Sequence, residues 1–511
     1  MSLYGDKILL DRPLSKKTFL VQPLIGDRHY STVKKLVKKS QMSNQLTVIL
    51  DGSRPGDAKS KSILTLLSEA LLQCGTTKIK TFTLRDVCIN PCIGCFNCWF
   101  KTPGQCIHRG DKGSEILRAV LNSDTIVLFT PIVFGGYSSE LKKIVDRFLP
   151  MVLPFFIKNQ GETHHPPRYS TFPHIIGVGV HPTPNKEHAN CFTTLVGRNA
   201  LNLPPSRYSA DVVNTNSSPE ELRKIFHSLL ARTDKFPLHK NITSLLQQVK
   251  PSFKKVTKRH KALLIIGSQK NSKKSTSNVL TTCLEKHLNK NNVETEILNL
   301  TSNLLHKKSQ LNLCGAVDRA DTIVLATPLY FDSLPFLVTK SFEDIAEHRK
   351  KNTSREDKIF LAIINNAFPE SYQNTVALSI CRNFALETDM LWAGGLTIGT
   401  GEGLISGKSL LGIEGFGGFK RPPLFYVSKS LKITATALAK GYPVPEKAVQ
   451  LIAKIPIPFI SSEIWRTYII KSAKRLFEKE ARKNGLTTEK LRNKPYEKQA
   501  KTILPHNDIL K

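Results

Sequence analysis

Four of the ten cysteines lie within sixteen residues, in the segment PCIGCFNCWFKTPGQC that runs from Pro91 to Cys106. From Cys92 the spacing is C-x2-C-x2-C-x7-C, and Cys88 lies four residues upstream. Three thiolates at successive three-residue steps are typical of iron–sulfur ligand runs, whereas structural zinc usually takes two separated pairs. The spacing therefore favours a [4Fe-4S] centre over zinc. The predicted ligands are Cys92, Cys95, Cys98 and Cys106, and a turn at KTPGQ is expected to bring Cys106 back to the other three. The alternatives are that the cysteines form a disulfide knot or that they are packed as small hydrophobic residues.

Two Gly-Ser loops offer a second kind of chemistry: DGSRPGDAKSKS (51–62) and GSQKNSKKSTSN (267–278). Each follows an apolar run and opens a helical pattern, with hydroxyls, basic side chains and free backbone N–H groups. This combination predicts a site for one phosphate, and simple helix capping is the alternative. Neither loop has the spacing of a nucleoside-triphosphate loop or of G-x-G-x-x-G. GTGEGLISGKS (399–409) is also rejected, because Glu402 stands where the first glycine is required.

Three landmarks occur twice in the same order. NSDTIVLFTP (122–131) returns as RADTIVLATP (319–328), LTVILDGS (46–53) as ALLIIGS (262–268), and GRNALN (197–202) as CRNFALE (381–387). Gly52 to Thr130 spans 78 positions, but Gly267 to Thr327 spans 60. We therefore predict two copies of one domain, with the cysteine segment as an insertion of about 18 residues in the first copy.

The elements that position these loops follow from the apolar pattern. Uninterrupted Val/Ile/Leu strands alternate with amphipathic helices, which is typical of a doubly wound α/β sheet of parallel strands. In such sheets ligands bind outside the carboxyl ends of the strands. The predicted organisation is an N-terminal arm (1–43), a domain with the cysteine insert (44–244), a linker (245–261), a second domain (262–420), a helical extension (421–490) and a tail (491–511).

The order of a GS-rich loop, PCIGCFNC…C and then TPIVFGGYSSELKKIVDRF resembles the NADPH-dependent FMN reductases of flavodoxin-like fold, and specifically their iron–sulfur flavoproteins. The resemblance covers about 44–240, and a second copy without the cysteine segment covers about 258–420. It implies cluster ligation by the four cysteines named above. It implies contacts of FMN with Ser53, Lys59, Ser60, Ser62, Thr130, Pro131, Ile132, Val133, Phe134 and Gly135 in the first copy, and with Ser268, Ser272, Ser275, Ser277, Asn278, Thr327, Pro328, Leu329, Tyr330, Phe331 and Asp332 in the second.

Two departures distinguish the copies. The family loop reads Gly-Ser-Pro-Arg, whereas Arg54 and Pro55 stand here in reversed order. The aromatic residue that follows Thr-Pro-x in the family is Val133 in the first copy and Tyr330 in the second. We therefore expect the second copy to hold flavin better, and we expect the copies to face each other as a pseudo-dimer. The cysteine loop would then approach Thr327–Asp332.

The net charge and the absence of long apolar runs guide the predictions about ligands, location and function. The 511 residues carry a net charge of +33, which favours anionic ligands such as NADPH or NADH, although no nucleic-acid-binding motif is present. The chain has neither a secretory h-region nor an apolar run long enough to span a bilayer, so a cytoplasmic protein is expected. The predicted function is a flavin-dependent NAD(P)H oxidoreductase that transfers electrons through the cluster to an unknown acceptor. The alternative is a non-catalytic scaffold with a structural metal, and a membrane-surface role is an alternative for the basic C-terminal helices.

Overall fold

The computed structural model describes residues 45–237, 242–269, 273–351, 357–411, 424–455 and 460–497. The predicted N-terminal arm and most of the predicted tail lie outside these residues. The described chain is built on two five-stranded sheets, each entirely parallel, with helices on both faces. The fold is thus the predicted α/β type. Each sheet is the centre of one part of the chain, and these two parts are called the first and the second half.

The first sheet has the strand order β2-β1-β3-β6-β7. Its strands are β1 (Leu46–Asp51), β2 (Lys78–Thr83), β3 (Thr125–Pro131), β6 (His174–His181) and β7 (Tyr208–Asn214), and β4 (Ile157–Asn159) and β5 (Glu162–His164) form a separate hairpin. Its helices are α1 (Ala58–Gln73), α2 (Asn97–Phe100), α3 (Gly113–Leu121), α4 (Ser139–Val145), α5 (Lys186–Asn202) and α6 (Pro219–Ala231).

The second sheet has the order β9-β8-β10-β11-β12, which is the same arrangement of first, second and third strands. Its strands are β8 (Lys261–Ile266), β9 (Glu294–Asn299), β10 (Thr322–Pro328), β11 (Lys358–Asn365) and β12 (Met390–Ile398). Its helices are α7 (Thr243–Gln248), α8 (Thr276–Asn289), α9 (Lys307–Arg319), α10 (Phe336–Lys351), α11 (Thr375–Glu387), α12 (Gly401–Leu404), α13 (Phe425–Ala439), α14 (Glu446–Ile452) and α15 (Ser462–Lys483).

One apolar core joins the two halves. Side chains of a strand alternate between its two faces, so Val48 and Leu50 of β1 face one way and Ile49 the other. Val48 and Leu50 belong to the same buried cluster as Leu263 and Ile265 of β8, whereas Ile49 packs in a separate outer layer. The inner faces of the two sheets are therefore covered by a continuous core that both halves build.

The predicted insertion lies between β2 and α3. Residues 87–112 connect the 3-10 turn Leu84–Asp86 to α3, whereas His306 alone separates the equivalent turn Ser302–Leu305 from α9. The difference in landmark spacing thus corresponds to one loop of the first half. Because both sheets have the same order, the repeated landmarks occupy equivalent strands and helices, and their common origin stays a proposal.

The two halves hold each other by reciprocal hydrogen bonds. Asn199 Nδ2 donates to the carbonyl oxygen of Phe331 at 2.9 Å, and Asn383 Nδ2 donates to the carbonyl oxygen of Phe134 at 3.0 Å. These asparagines come from the repeated landmarks GRNALN and CRNFALE. Each therefore fixes the loop that follows the third strand of the opposite half.

Carboxylates exchanged across the same interface cap two helices. Asp146 Oδ2 accepts from the backbone N–H of Phe336 at 2.8 Å, and Glu343 accepts from the N–H and hydroxyl of Ser139 at 3.0 and 2.6 Å. Phe336 and Ser139 are the first residues of α10 and α4. Each helix N-terminus thus receives its negative charge from the partner half, an arrangement that the helix dipole favours.

The C-terminal helices follow two different courses. Leu431 of α13 and Ala448 of α14 pack in the core beside the second sheet, whereas Trp465 of α15 packs against Phe156 of the first half. Beyond α15, Leu491 and Tyr496 are buried, so these two residues anchor the described part of the predicted tail to the protein. No helix in the described segments combines the length and apolarity that crossing a membrane requires.

The linker predicted at 245–261 is packed rather than extended. Trp392 of the second sheet donates its indole N–H to the carbonyl oxygen of Val249 at 2.9 Å, and Ser252 exchanges hydrogen bonds with the Trp392 backbone. These contacts fix the connection along the edge of the second sheet. Two independent domains on a free linker are therefore not what the structure shows.

Replacing either interface asparagine with alanine should destabilise the whole chain, because each substitution leaves a backbone carbonyl that a buried amide previously satisfied. We expect Asn199→Ala and Asn383→Ala each to lower the free energy of unfolding by about 1–3 kcal/mol in chemical denaturation. Asn303→Ala, at an exposed position of the second half, is the control and should change it by less than about 0.5 kcal/mol. Equal effects at all three positions would contradict the role assigned to the interface.

Candidate functional site

The cysteine loop turns back on itself after α2. Gly104 adopts a positive φ of 82°, and its N–H donates to the carbonyl oxygen of Cys98 at 2.9 Å. A left-handed residue at this point is inexpensive because glycine has no Cβ. The turn predicted at KTPGQ is confirmed, and it returns Cys106 toward the other cysteines.

The four predicted ligands are close enough to influence one another electrostatically. Burial raises the pKa of Cys92 to about 12, and the charges of Cys106 and Cys95 add to this effect. Burial likewise raises the pKa of the Cys98 thiol, with further contributions from the other three cysteines. Cys88 is exposed and contributes to neither shift. The four predicted ligands therefore lie within electrostatic range of one another, and Cys88 does not take part.

The four cysteines are not close enough together to bind a single metal ion. Across residues 45–497, apart from the gaps noted above, no three His, Cys, Asp or Glu side chains are grouped closely enough to hold one metal ion. None of the ten cysteines, all of which lie in the described segments, forms a disulfide. The four predicted ligands thus lie within electrostatic range of one another, without the close contacts of a mononuclear centre.

Two buried arginines lie near the cysteine loop, and one of them, Arg147, is hydrogen-bonded to it. Arg147 donates to the carbonyl oxygen of Asn90 at 2.8 Å and to the carboxylate of Asp111 at 2.7 Å. Arg168 donates to four carbonyl oxygens, those of Pro150, Val152, Leu491 and Asn493. Burial lowers the pKa of Arg168 to about 10, so this side chain stays protonated near neutral pH, and its charge lowers the pKa of Cys98. Negative charge on the thiolates is thus partly compensated.

The loops after β3 and β10 form the same tight turn. Val133 and Gly136 exchange backbone hydrogen bonds in the first half, and Tyr330 and Ser333 do so in the second. The two central residues of each turn have positive φ, 54° and 84° at Phe134 and Gly135, and 43° and 57° at Phe331 and Asp332. Such pairs of left-handed residues define a type I′ turn. The two loops differ in what covers them.

Side chains of the second half cover the loop after β3 in the first half. Ile132, Val133 and Phe134 are all less than 9% exposed. The Phe134 ring packs edge to face against the rings of Phe342 and Phe384, with centroids 6.2 and 5.3 Å away. Protein side chains therefore occupy the surroundings of this predicted flavin loop.

The loop of the second half instead lines a cavity of about 390 Å³. The cysteine loop contributes Cys92, Gly94 and Trp99 to the wall of this cavity. The loop Thr327–Asp332, here called the ring loop, contributes Leu329, Tyr330, Phe331 and Asp332. A Cβ on Gly94 would lie 1.9 Å from the Tyr330 hydroxyl, so these two segments are in direct contact. The approach of the cysteine loop to Thr327–Asp332 that the sequence predicted is thus present.

The ends of β11 and β12 and the helix α15 complete the cavity. Asn366, Phe368 and Thr400 line the edge of the second sheet, and Trp465 and Phe477 lie on the α15 side. His165 packs between Trp99, Phe156 and Phe368, and burial lowers its pKa to about 4. The imidazole is therefore neutral, and its Nδ1 is 3.0 Å from the carbonyl oxygen of Phe155. A cavity with mostly aromatic walls and few polar groups suits a planar organic cofactor.

Charged groups at the cavity wall are bound within the protein. Asp332 accepts from Asn202 at 2.6 Å and from Asn199 at 3.2 Å, and Asp146 is paired with Lys142. Burial raises the pKa of Asp146, and the charge of Lys142 offsets only part of this increase. Burial alone would raise the pKa of Glu162 in the adjoining network, but His164 and Arg198 outweigh it and lower that pKa to about 2. These carboxylates serve the interface between the halves.

The first Gly-Ser loop already contains negative charge. Asp51 Oδ1 accepts from the backbone N–H of Ser53 at 2.9 Å, and Arg85 donates to the Ser53 hydroxyl at 2.7 Å. Asp57 is the N-cap of α1 and accepts from the N–H and the hydroxyl of Ser60. Carboxylates thus occupy the helix N-terminus where a phosphate would bind. Lys59 and Ser62 are exposed, and they bond to Asn216 and to the carbonyl oxygen of Ala58.

The second Gly-Ser loop has no carboxylate at these positions. Ile266 and the N-cap Ser275 replace Asp51 and Asp57, and Ser268, Ser275 and Ser277 are all buried. Thr276 is 3% exposed, and its hydroxyl has no hydrogen-bonding partner in the described chain. Asn278 donates its N–H to Ser275 Oγ, and Ser272 lies outside the described residues.

The cavity and the second Gly-Ser loop are connected. A Cβ on Gly401 would lie 3.1 Å from Thr276 Cγ2, and the adjacent Thr400 lines the cavity. Asn366 Oδ1, Thr400 Oγ1 and both side-chain polar atoms of Gln269 are buried and lack partners among the residues described. Unsatisfied buried polar atoms are rare in folded proteins, so those of Asn366 and Thr400 at the cavity indicate a polar ligand there.

Several residues of this site have no signal in the sequence. Arg147 and Arg168 reach the cysteine loop through long-range contacts, and Trp465 and Phe477 come from the C-terminal extension. Asn366 and Thr400 follow the carboxyl ends of β11 and β12. Ligands of parallel sheets bind at this edge, so the strand pattern could have suggested these two residues.

The strand order and the position of the cavity at the carboxyl edge define flavodoxin-like α/β domains. Residues 46–162 match the family model described as NADPH-dependent FMN reductase, so this part of the first half is similar to that family.

Two curated relatives are iron–sulfur flavoproteins. One, from Methanocaldococcus jannaschii, is 38% identical over 97 residues, which are 19% of this chain and 49% of the relative. Another, from Archaeoglobus fulgidus, is 37% identical over 62 residues, 12% of this chain and 27% of the relative. The chain thus spans about half of the first relative and about a quarter of the second. A solved NAD(P)H:quinone oxidoreductase from Methanothermobacter marburgensis is similar at 9% identity with a TM-score of 0.24, over 36% of this chain and 98% of that one.

Gly94→Ala should disturb the contact between the cysteine loop and Tyr330. Gly94 has a φ of +65°, so alanine there adds backbone strain of about 1–2 kcal/mol as well as the steric clash with Tyr330. Gly56→Ala is a matched control, because Gly56 has a φ of +75° and no atom within 4 Å of the added Cβ. We expect Gly94→Ala to lower the free energy of unfolding more than the control, by about a further 1–3 kcal/mol in chemical denaturation. Equal losses would show that Tyr330 can move freely away from the loop.

Proposed function

We propose that the chain is a flavin-dependent NAD(P)H oxidoreductase with FMN on its second half and a [4Fe-4S] cluster on Cys92, Cys95, Cys98 and Cys106. The observation that carries the proposal is the shared cavity, which Cys92 of the first half and Tyr330 of the second half line together. Two redox groups held at these places would be neighbours. The proposal thus gives a reason for combining two halves in one chain.

The residues around the second Gly-Ser loop fit an FMN phosphate. Ser268, Ser275 and Ser277 offer hydroxyls, the N-terminus of α8 offers backbone N–H groups, and Lys273 and Lys274 add positive charge. The unpartnered hydroxyl of Thr276 lies between this loop and the cavity. By contrast, the first loop has the carboxylate of Asp57 as its helix N-cap, and its Asp51 is buried and paired with Arg85. We therefore assign the phosphate to the second loop.

The four predicted ligands fit a cluster better than a single zinc ion. Three of them follow one another at three-residue steps, which is typical of iron–sulfur ligand runs, and Arg147 and Arg168 supply compensating charge. A cluster held there transfers single electrons, and bound FMN exchanges a hydride or single electrons. The thiolates need a reducing compartment, which supports a cytoplasmic location.

The chain's own side chains would bind, orient and shield. Phe331 and Asp332 are held by Asn199, so the ring loop keeps its shape. Trp465 and Phe477 of α15 limit access of water to the cavity. The neutral His165 and the paired Asp146 offer no free charge, and we assign no general base. A nicotinamide nucleotide would be drawn by the net charge of +33, which does not discriminate NADPH from NADH.

The absorption spectrum of protein purified without oxygen tests the proposal as a whole. Flavin bands together with a broad iron–sulfur shoulder are expected, and bleaching on addition of NADPH or NADH would identify the donor. A colourless protein would favour the non-catalytic scaffold with a structural metal instead.

Cys95→Ser should remove iron and acid-labile sulfide from anaerobically purified protein, because it deletes one of the four predicted ligands. Cys88→Ser is the control and should keep both, since Cys88 is exposed and lies apart from the four. Metal analysis of the two variants, with circular dichroism to verify the fold, decides the matter. Full iron content in Cys95→Ser, or zinc in the wild-type protein, rules out the assignment.

Ser275→Asp should lower FMN content strongly, since it places a carboxylate where the phosphate is proposed to bind. Aspartate is as good an N-cap as serine, so α8 should remain capped and the loss should be electrostatic. Ser218→Asp makes the same change at the N-cap of α6, away from the site, and should leave FMN content unchanged.

The two copies can be compared directly by FMN content after denaturation. Ser268→Asp should lower it more than Ser53→Asp, because Ser53 already lies beside Asp51. The opposite ranking would move the flavin to the half that carries the cysteines.

A further inference from the structure

The helix α15 has one packed side and one open side. Its 22 residues extend over about 33 Å at about 1.5 Å per residue. Trp465 and Ile469 are buried against Phe156, and Arg466 is paired with Glu370 at 2.6 Å. The helix is therefore fixed on the protein, and its other side faces outward.

The outward side combines cations with exposed apolar side chains. Ile464 and Tyr468 are 61% and 56% exposed. At about 100° per residue, both fall within an arc of about 80° that also contains four basic residues. These four are exposed: Lys471, Arg475, Lys479 and Arg482. The acidic residues of the helix, Glu463, Glu478 and Glu480, lie outside this arc.

These four cations are not used within the protein. Among the residues that the structure describes, none of the four forms an ion pair, whereas Arg466 on the inner side binds both Glu370 and Glu463. The positive charge of the outward face is therefore available to a partner. The four cations extend over about 17 Å of the helix, from Lys471 to Arg482, and they suit a partner that is negatively charged over a similar length.

We propose that this outward face of α15 is a docking surface for an anionic lipid membrane. Clusters of basic residues on a helix attract anionic lipid headgroups, and exposed aromatic or aliphatic side chains on the same side add apolar contact with the membrane interface. Ile464 and Tyr468 lie on the same side as the four cations, within the two turns that precede Lys471, so they meet the headgroup region when the cations meet lipid phosphates. An acidic protein would use the charges but would not require exposed apolar side chains on the same side.

The position of the helix links docking to the cavity. Tyr468 and Leu476 line the cavity and are each 56% exposed, so they belong to its mouth. A membrane bound at the outward face would lie beside this mouth. This inference rests on the proposed function: the enzyme would take an apolar substrate that is dissolved in the membrane.

Co-sedimentation of the full chain with lipid vesicles tests the docking surface without any cofactor readout, so its failure is separate from failure of the flavin assignment. We expect binding to vesicles of phosphatidylcholine and phosphatidylglycerol in equal parts, weakened by salt, and little binding to phosphatidylcholine alone. Changing Lys471, Arg475, Lys479 and Arg482 together to glutamine should weaken binding at least about tenfold. Ile464→Ser alone should weaken it several-fold.

A matched control separates this face from the general positive charge. Lys61, Lys78, Lys307 and Lys308 are exposed elsewhere, and their joint change to glutamine removes the same charge. This control should bind within about twofold of the parent. An equal loss in the control, absence of binding by the parent, or an Ile464→Ser variant that binds normally would each overturn the proposal, the last in favour of an acidic protein partner. Circular dichroism verifies that every variant is folded.

Discussion

The reciprocal exchange of polar groups between the halves is the constraint on which the site depends. Asp146 and Glu343 each cap a helix of the opposite half, and Asn383 and Asn199 each hold the opposite turn. These bonds fix the rotation of one sheet relative to the other, because each polar group is satisfied only by the partner half. The cavity between the cysteine loop and Tyr330 exists only in that relative position.

The same symmetry makes the differences between the halves informative. Equivalent turns follow β3 and β10, but one is covered by Phe342 and Phe384 while the other opens into the cavity. Equivalent Gly-Ser loops follow β1 and β8, but only the first contains Asp51 and Asp57. The half that resembles the FMN reductases in sequence thus supplies the cysteines, and the other half supplies the more suitable flavin surroundings.

Local features of the fold could be predicted because local sequence determines them. The apolar strands, the Gly104 turn and the difference between Val133 and Tyr330 are visible in short segments. The Asp57 N-cap was equally visible, but its consequence depends on knowing where the phosphate would bind. The contacts of Arg168 with Leu491 and Asn493 join residues more than 300 positions apart, and no local pattern encodes such a pairing. A helix after residue 420 could be expected to cover a flavin, but the contacts of Trp465 and Phe477 with the cavity depend on the same kind of long-range pairing.

The closure of the cysteine loop by the C-terminal residues bears on how the protein matures. Leu491 and Asn493 accept from Arg168, and Pro495 lies against Gly104, so the last described segment covers the loop base. A ribosome needs about 20–80 s to add the 385 residues between Cys106 and Leu491, at about 5–20 residues per second. During that interval the cysteines are synthesised but their cover is not. Delivery of the proposed cluster would therefore have an interval in which the cysteine loop is synthesised but not yet covered, and the arrival of residues 491–495 would end it.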